Sequence, residues 1–298
     1  SDRKTGITMK KLKLAIPKGS LQESTISLFT NAGFEVSSIS RSYYLSFDDP
    51  EIDAVLIRAQ EIPRYVQIGV FDAGISGKDW ITENRANVKD ICELCYAKHG
   101  LRPVKIVLAV PENSEIKSVK DLNGKIIATE LVNLTKDYLK RNNVQCDVEF
   151  SWGATEIKAG HLVDAIVEIT ETGATISSNG LKIIDIIMES TPHFFANNNA
   201  WKNPWKKEKM MKISLLLEGA LNASKKVGLK MNVQKKDITA ILKKLPAIKK
   251  PTISRLSTKN WYAVETIIDK KKAKEIIPEL KKLGASGIVE YNINKLVY

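Results

Sequence analysis

The chain has 298 residues, 43% of them apolar and 27% charged, which is enough material for about two domains with ordinary buried cores. This composition excludes an intrinsically disordered chain, and three cysteines exclude a disulfide scaffold. No run of apolar residues approaches the ~20 that a membrane span needs, and the N-terminus lacks the apolar core of a secretory signal. We therefore expect a cytoplasmic protein that does not associate with a membrane.

The excess of basic residues narrows the class of ligand. Lysine and arginine number 46 against 34 acidic residues, a net charge of +12, which favours either nucleic acid or small anions such as phosphates. In the densest basic stretches leucine and isoleucine are interspersed in an amphipathic pattern, which is typical of solvated helix faces. The stretches are residues 202–212, 225–236, 243–250 and 270–282. We therefore expect small anionic ligands and no nucleic acid.

Two cysteines, Cys92 and Cys95, have the spacing of a metal-binding pair, and His99 follows four residues later. They lie in a strand-like segment, where residues three apart point to opposite faces of the sheet. A second ligand pair is absent, since Cys146 is the remaining cysteine. We therefore expect ordinary thiols and no resident metal.

The first two thirds of the chain alternate short apolar runs with helix-length amphipathic segments, the pattern of an α/β protein. A first lobe is predicted from strands at 12–16, 52–57 and 73–76 with helices at 20–32 and 61–67. A second lobe is predicted from strands at 104–110, 125–129, 148–151 and 165–168 with helices at 118–122 and 132–142. The strand at 183–188 is expected to return to the first lobe. Two α/β lobes around a cleft resemble the architecture of periplasmic binding proteins.

The remainder of the chain has a different pattern. After a polar break at 197–204 and a basic helix, strands and helices follow in the order β-α-β-β-α-β between residues 227 and 292. This order is the ferredoxin-like motif. The pattern is equally compatible with a sensor of a small ligand and with a dimerisation or packing module.

The most informative segment is the turn at residues 171–175. A strand ends at Glu168, and the turn enters a helix, so free backbone N–H groups and the helix dipole can bind phosphate there. Hydroxyls of Thr172 and Thr175 add donors, and Glu168, with Glu171, can accept ribose hydroxyls. The turn therefore suits a 5-phosphoribosyl group, although such a turn is often only a helix cap. Its residues are Glu171, Thr172, Gly173, Ala174 and Thr175.

Motifs along the chain resemble those of the long-form ATP phosphoribosyltransferases, which open histidine biosynthesis. Their order and spacing over the whole chain carry the resemblance. They are P-K-G-S-L at 17–21, Arg58 followed by E-I-P at 61–63, D-A-G-I-S-G-K-D at 72–79, I-A-T-E at 127–130, G-A-T-E at 153–156, E-T-G-A-T at 171–175, N-G-L at 179–181 and P-T at 251–252.

The resemblance implies a reaction in which N1 of ATP displaces pyrophosphate from 5-phosphoribosyl 1-pyrophosphate, with Mg2+ on the pyrophosphate. It implies no enzyme nucleophile, and the sequence shows no nucleophile elbow or plausible Cys-His pair. Residues 172–175 are expected to bind the 5-phosphate and Glu168 the ribose. The residues expected around ATP and pyrophosphate are Lys18, Arg58, Asp72, Asp79, Thr129 and Glu130. For Lys18, Arg58 and Asp79 a solvated turn, a structural ion pair and a helix cap are the respective alternatives.

The resemblance also implies the domain plan and the regulation. Its domains are residues 9–103 with 183–204, residues 104–182, a linker helix at 205–221, and a regulatory domain at 222–298. That last domain is expected to bind histidine as inhibitor at positions matching Ile248, Thr252 and Gly287. Dimers assembling into a hexamer are expected.

Three departures from the family pattern affect the expected contacts. Glu168 replaces the usual Asp, Ser20 replaces a frequent Arg, and Lys158 with Ala159 stands where small apolar and proline residues are usual.

Two rival interpretations of the function remain. One is a non-catalytic ligand-binding protein with the same two lobes, and the other is a phosphoribosyltransferase of the orotate or purine type. The latter usually has two adjacent acidic residues before its turn, whereas Glu168 stands beside Ile169.

Overall fold

The computed structural model describes residues 10–38, 42–96, 102–246 and 250–298. The chain divides into two compact units, the first ending at Ser214 and the second comprising Leu215–Tyr298 with the short stretch Asn31–Gly33. Among the described residues, no helix is both long and apolar enough to cross a membrane.

The first unit contains two sheets. The first sheet has seven strands in the order β2-β3-β4-β1-β5-β12-β6. Its central strands β1, β4 and β5 are parallel, and β1 is buried on both faces because helices cover the sheet. The strands are β1 (Leu12–Lys18), β2 (Val36–Ser38), β3 (Tyr44–Phe47), β4 (Ile52–Arg58), β5 (Ala73–Gly77), β6 (Lys89–Glu93) and β12 (Pro192–Ala196). The accompanying helices are α1 (Gln22–Asn31), α2 (Ile62–Gln67), α3 (Lys78–Glu83) and α6 (Asn198–Lys202).

The second sheet has five strands in the order β11-β7-β10-β8-β9. Strands β8, β9 and β10 are parallel, so their carboxyl ends meet at one edge. The strands are β7 (Val104–Pro111), β8 (Ile126–Thr129), β9 (Asp147–Phe150), β10 (Ala165–Thr170) and β11 (Leu181–Ser190), and the helices are α4 (Val132–Arg141) and α5 (Ala174–Ser178). Short 3-10 turns cover Val119–Leu122 and Thr155–Ile157. The two α/β lobes expected from the sequence are thereby confirmed.

Strand β11 differs from the prediction. The segment 183–188 does not return to the first lobe, because β11 pairs with β7 in antiparallel register from Leu181 opposite Pro111 to Ser190 opposite Val104. The strand that returns is β12, which begins two residues after β11 ends and pairs with β5 and β6. Phe194 and Phe195 in β12 are fully buried, whereas β11 is an edge strand with several exposed residues. The crossing between lobes is thus at Thr191.

The second unit forms a separate core. Helix α7 (Pro204–Ser224) leads into it from the first unit, and the next elements are β13 (Lys226–Gln234), α8 (Ile238–Lys244), β14 (Thr252–Arg255), β15 (Trp261–Asp269), α9 (Lys270–Lys282) and β16 (Ser286–Asn292). The sheet order is β14-β15-β13-β16, with every neighbouring pair antiparallel. Apolar residues of β13 and β15 pack against the two helices α8 and α9. The predicted ferredoxin-like βαββαβ arrangement is confirmed.

Candidate active site

The parallel strands β1 and β4 end at a cleft, and the last residue of each strand has a positively charged side chain. Lys18 is the last residue of β1 and Arg58 the last of β4, and the two are direct partners in the parallel register. Gly19 follows with φ of +105°, where a Cβ would lie 3.8 Å from Nη1 of Arg58. The Lys18 ammonium also lies 4.1 Å from the ring centroid of Tyr43. The strand register therefore places two cationic residues next to each other at the ends of their strands, an arrangement that suits a polyanionic ligand.

These cations belong to a cavity of about 460 Å³ that both lobes line. It lies at the carboxyl ends of the parallel strands, the usual ligand site of an open α/β sheet. The first lobe contributes Lys18, Gly19, Ser20, Leu21, Arg58, Ala59, Gln60, Gly77, Asp79, Trp80 and Tyr96. The second lobe and the crossing contribute Val104, Glu130, Ile169, Thr170, Glu171, Ser190, Thr191 and Pro192.

Asp79 is a buried carboxylate in the first turn of α3, with 3% of its surface exposed. The Ser190 hydroxyl donates to Asp79 Oδ1 at 2.6 Å and accepts from the Asp79 backbone N–H at 3.0 Å. Burial raises the pKa of Asp79, and the hydrogen bond from Ser190 partly opposes that shift. A Cβ at Gly77 would lie 2.0 Å from Asp79 Oδ1, so a side chain at this position would displace the carboxylate from its present place.

Glu130 reaches the cavity because of the turn that follows β8. Thr129, the last residue of β8, is fully buried, and its hydroxyl accepts from the backbone N–H of Leu131 at 2.9 Å. Thr129 is therefore a turn-forming residue that directs its neighbour Glu130, rather than a residue that itself lines the cavity.

The threonine-rich turn continues from the cavity wall. Thr170 and Glu171 line the cavity, and the Thr170 hydroxyl accepts from the Gly173 backbone N–H at 2.9 Å. Gly173 has φ of +80° and immediately precedes helix α5, so the predicted turn does enter a helix, but the helix begins at Ala174, within residues 171–175. The Thr172 hydroxyl accepts from the Ala174 N–H at 3.3 Å, and Thr175 is exposed in the first turn of the helix. Residues 172–175 are not among the residues that line the cavity, and they follow directly after Glu171, which does line it.

Glu168 precedes this turn on β10 and has an unusual charge environment. Burial, together with the nearby carboxylates Glu156 and Glu130, raises the pKa of Glu168 to about 7. The Ile169 backbone N–H donates to Glu168 Oε1 at 2.9 Å, and the Thr155 hydroxyl also favours the ionised form. A carboxyl group with a pKa near 7 changes its hydrogen-bonding capacity in the physiological range.

Asp72 was placed near ATP by the resemblance, and the structure does not bring it to the cavity. It precedes β5, at the amino end of a strand whose carboxyl end, Gly77, lines the cavity. Its carboxylate accepts from the Lys13 backbone N–H at 2.9 Å and from Lys206 Nζ at 2.6 Å. Because the strands are parallel, the amino end lies at the opposite edge of the sheet. Asp72 is therefore a structural ion-pair residue.

The second unit has a cavity of about 390 Å³ that includes one of the three predicted inhibitor residues, Thr252. Thr252 is paired in register with Glu265, whose carboxylate accepts from the Tyr291 hydroxyl at 2.5 Å. Gly287, with φ of +54°, lies in β16 and is not among the residues lining this cavity. Ile248 lies outside the described residues. The lining residues are Lys250, Thr252, Glu265, Thr266, Ile267, Tyr291, Leu296, Val297 and Tyr298.

Sequence reasoning missed Ser190, Glu265 and Tyr291. Ser190 is 111 residues away from Asp79 along the chain, and its neighbours carry no motif that points to the pairing. The signal in the sequence for Tyr291 was Gly228, because a glycine inside a strand often marks the close approach of another group. In the structure the two residues are register partners, and a Cβ at Gly228 would lie 2.1 Å from the tyrosine ring.

No cluster of three or more metal-binding side chains occurs among the residues that the structure describes. The carboxylates of the cavity are Asp79, Glu130 and Glu171, which the two lobes present from different walls. Carboxylate oxygens are ligands that divalent ions such as Mg2+ accept, and a bound polyphosphate would supply further oxygen ligands.

Comparison with known proteins identifies the family of the chain. A family model described as HisG, ATP phosphoribosyltransferase, matches residues 58–219, and one described as HisG, C-terminal domain, matches residues 223–295. The ATP phosphoribosyltransferase of Chlorobaculum parvum is 55% identical over 286 residues, covering 96% of this chain and 97% of that protein. That of Thermodesulfovibrio yellowstonii is 54% identical over 288 residues, 97% of this chain and 99% of that protein.

A solved structure agrees with this assignment. One chain of the ATP phosphoribosyl transferase (HisG:HisZ) complex from Thermotoga maritima superimposes with a TM-score of 0.59 at 28% identity. The match covers 98% of that chain and 70% of this one.

Proposed function

The chain belongs to the ATP phosphoribosyltransferase family, which performs the first step of histidine biosynthesis, and we propose that its cleft joins the 5-phosphoribosyl group to N1 of ATP. One observation supports placing the reaction in this cleft. Lys18 and Arg58 are register partners in the first lobe, and Thr170 and Glu171 of the second lobe line the same cavity. One wall suits polyphosphate, and the other leads to a turn that suits a sugar phosphate.

The phosphoribosyl donor is assigned to the second lobe. Residues 172–175 surround its 5-phosphate, because they directly follow Glu171, which lines the cavity, and the exposed Thr175 hydroxyl in the first turn of α5 is a donor. Glu168 and Glu171 accept the ribose hydroxyls. Ionised carboxylates accept hydrogen bonds strongly, so donor binding is best when Glu168 is deprotonated.

ATP and the leaving pyrophosphate are assigned to the opposite wall. Lys18 and Arg58 pair with phosphate oxygens, and the Arg58 guanidinium can contact two oxygens at once. Asp79 and Glu130 form the edges of the space between the two substrates. Ser190 holds the Asp79 carboxylate in place, and the turn at Thr129 directs Glu130 towards the cavity. Their negative charge limits how closely a polyphosphate approaches them and so orients it towards the two cations.

The reaction needs no nucleophile from the chain. The purine N1 attacks the anomeric carbon, the bond to pyrophosphate breaks, and the electron pair leaves with the pyrophosphate. The contribution of the cavity is to align two polyanions and to stabilise the charge that develops on the leaving group. This family requires a divalent metal, which we propose is Mg2+ entering on the pyrophosphate oxygens of the donor as part of the substrate.

The two sheets of the first unit and the separate core of the second unit support a domain plan. We propose a first catalytic lobe of residues 10–96 with 192–204, a second of residues 104–190, and a regulatory unit that begins near residue 222. Within the regulatory unit, the cavity beside Thr252 is assigned to histidine, because Glu265 and Lys250 offer opposite charges to an amino acid. Gly287 and Ile248 remain predictions for this site. Dimers that assemble into a hexamer remain the proposed quaternary structure.

An absorbance assay tests the proposed reaction. The chain is mixed with ATP, 5-phosphoribosyl 1-pyrophosphate, Mg2+ and a pyrophosphatase, and formation of the N1-substituted adenine is followed. Steady accumulation of the adduct is expected. Tight binding of both substrates without adduct would instead support the rival interpretation of a non-catalytic ligand-binding protein.

A further inference from the structure

A buried hydrogen-bonded chain approaches Glu168 from the loop after β9. Lys158 Nζ donates to Ser151 Oγ at 2.6 Å, and Ser151 Oγ lies 2.8 Å from Thr155 Oγ1. Ser151 is fully buried and Thr155 is 1% exposed, so water does not compete for either hydroxyl. The 3-10 turn that begins at Thr155 packs against β10, the strand of Glu168, and the Thr155 hydroxyl lowers the pKa of the Glu168 carboxyl. Two hydroxyls thus link an ammonium group to a carboxyl group.

The ammonium group fixes the direction of this chain. Lysine can only donate, so Ser151 Oγ accepts from Lys158 and its own proton must point elsewhere. The alternative acceptor, the Gly153 carbonyl oxygen, is 3.5 Å away, whereas Thr155 Oγ1 is at 2.8 Å. When Ser151 donates to Thr155, the Thr155 proton is available for Glu168. A charged donor at the start also strengthens each later hydrogen bond by polarising it.

We propose that Lys158 is a positioning residue for the transfer reaction: through Ser151 and Thr155 it orients a hydroxyl donor onto Glu168. This inference rests on the proposed role of Glu168 as acceptor of the ribose hydroxyls. The chain holds one side of the carboxyl group and favours its ionised form, which leaves its remaining lone pairs for the sugar. Lys158 itself needs no contact with either substrate.

The charges around Glu168 show why such support is useful. Glu156 from the 3-10 turn and Glu130 from the end of β8 both oppose ionisation of Glu168, as does burial. The opposing influences are the Ile169 N–H and the Thr155 hydroxyl, and only the latter is connected to a cation. The hydrogen-bonded chain therefore connects the Glu168 carboxyl to a single cationic group, the Lys158 ammonium. Loss of that ammonium should raise the pKa of Glu168.

The experiment measures the titration of Glu168 directly in the substrate-free full-length protein. Glutamate carboxyl carbons are labelled with 13C, and the Glu168 resonance is assigned by its loss in Glu168→Gln. Lys158→Met and Ser151→Ala are compared with Lys125→Met, which removes a lysine of the same lobe that pairs with Asp164 at the surface. We expect the midpoint to rise by about one pH unit, a tenfold change in proton affinity, in the first two variants and to stay fixed in the control.

The two variants separate the hydrogen-bonded chain from a direct charge effect. A shift in Lys158→Met without one in Ser151→Ala would overturn the proposal, because the ammonium would then act through space. Unchanged midpoints in both variants would overturn it as well. A partial return towards the wild-type midpoint in Lys158→Arg would support it, since arginine restores a cationic donor.

Kinetics then relate the chain to the reaction. The KM for the phosphoribosyl donor is expected to rise several-fold in Lys158→Met below pH 8, with the KM for ATP unchanged, and the difference should shrink at higher pH. If the Glu168 midpoint shifts while donor KM stays constant at every pH, the positioning of Glu168 is supported and its proposed ribose contact fails.

Discussion

Ser190 and Asp79 form a reciprocal pair in which one hydroxyl both donates to the carboxylate, at 2.6 Å, and accepts from the backbone N–H of the same residue, at 3.0 Å. Ser190 is the last residue of β11, directly before the crossing between lobes, and Asp79 lies in the first turn of α3. The pair therefore links the second sheet to the helix that bounds the cavity in the first lobe.

The first prediction concerns this pair. Ser190→Ala removes the hydroxyl and leaves a buried carboxylate short of a donor, so the pKa of Asp79 should rise further above its ordinary value. We expect a loss of about 1 to 3 kcal/mol in the free energy of unfolding near neutral pH, together with lower activity. Denaturant unfolding of this variant and of Ser37→Ala, which removes an exposed hydroxyl from β2, checks the expectation. Equal stability of the two variants would contradict the role given to Ser190.

The second prediction concerns Glu168 and pH. Because the folded pKa of about 7 lies above the ordinary value of 4.5, the folded state binds more protons than the unfolded state between these values. The contribution of this group to stability is therefore present at low pH and is lost as pH rises from about 4.5 to about 7. Glu168→Gln should remove this dependence and increase stability above pH 8 by up to about 3 kcal/mol.

Thermal unfolding at pH 5 and pH 8 measures this effect. The difference in stability between Glu168→Gln and wild type should be larger at pH 8 than at pH 5. The loss of donor affinity should also be larger at pH 8, where wild-type Glu168 is ionised. A difference that is constant with pH would show that the carboxyl titrates normally in the folded protein.

The third prediction concerns the threonine-rich turn. Thr175→Ala removes an exposed hydroxyl next to the proposed 5-phosphate and should weaken donor binding by about 1.5 to 3 kcal/mol, the range for hydrogen bonds to charged groups. Ser177→Ala, an exposed position in the same helix, is the matched control. Donor KM is the measurement, with ATP saturating. Thr175 is a better position for this test than Gly173, because Gly173 has φ of +80° and any side chain there would add backbone strain.

The fourth prediction concerns the second unit. Thr252→Val replaces a hydroxyl that lines the cavity with Glu265 and Tyr291, and it should weaken histidine binding without lowering catalytic turnover. Calorimetric titration with histidine is compared with that of Thr258→Val, an exposed threonine in the loop before β15. Equal histidine affinity in both variants would exclude Thr252 from the site, and no binding to the wild type would leave this unit as an assembly module.

Local sequence patterns predicted where strands and helices lie better than they predicted which strands pair with each other. Strands β1, β4 and β5 were predictable because apolar runs end in polar or basic residues, and the ferredoxin-like unit because its order of elements is distinctive. Strand β11 was assigned to the wrong lobe, since alternation along a strand shows which face is buried but not which strand lies beside it.

The candidate site shows the same division. Lys18 and Arg58 were identified from their places at strand ends, which the parallel register then brought together. Asp72 was misplaced because the motif that contains it runs the whole length of β5, so that its first residue lies at the opposite edge from Gly77. The Ser190–Asp79 pair depends on a contact between residues far apart in the sequence, and the hydrogen-bonded chain that starts at Lys158 depends on how its loop folds. Neither could be predicted from a local sequence pattern.

The most direct test of the account is single-turnover formation of the N1 adduct by Arg58→Ala, with Arg64→Ala as the control. Both substitutions remove an arginine from the first lobe, but only Arg58 lines the cavity, whereas Arg64 is exposed on α2. The account predicts at least a hundredfold loss of rate in Arg58→Ala, with a melting temperature close to wild type, and near-normal rates in Arg64→Ala. A folded Arg58→Ala variant that forms the adduct at the wild-type rate would contradict the placement of the reaction in this cleft.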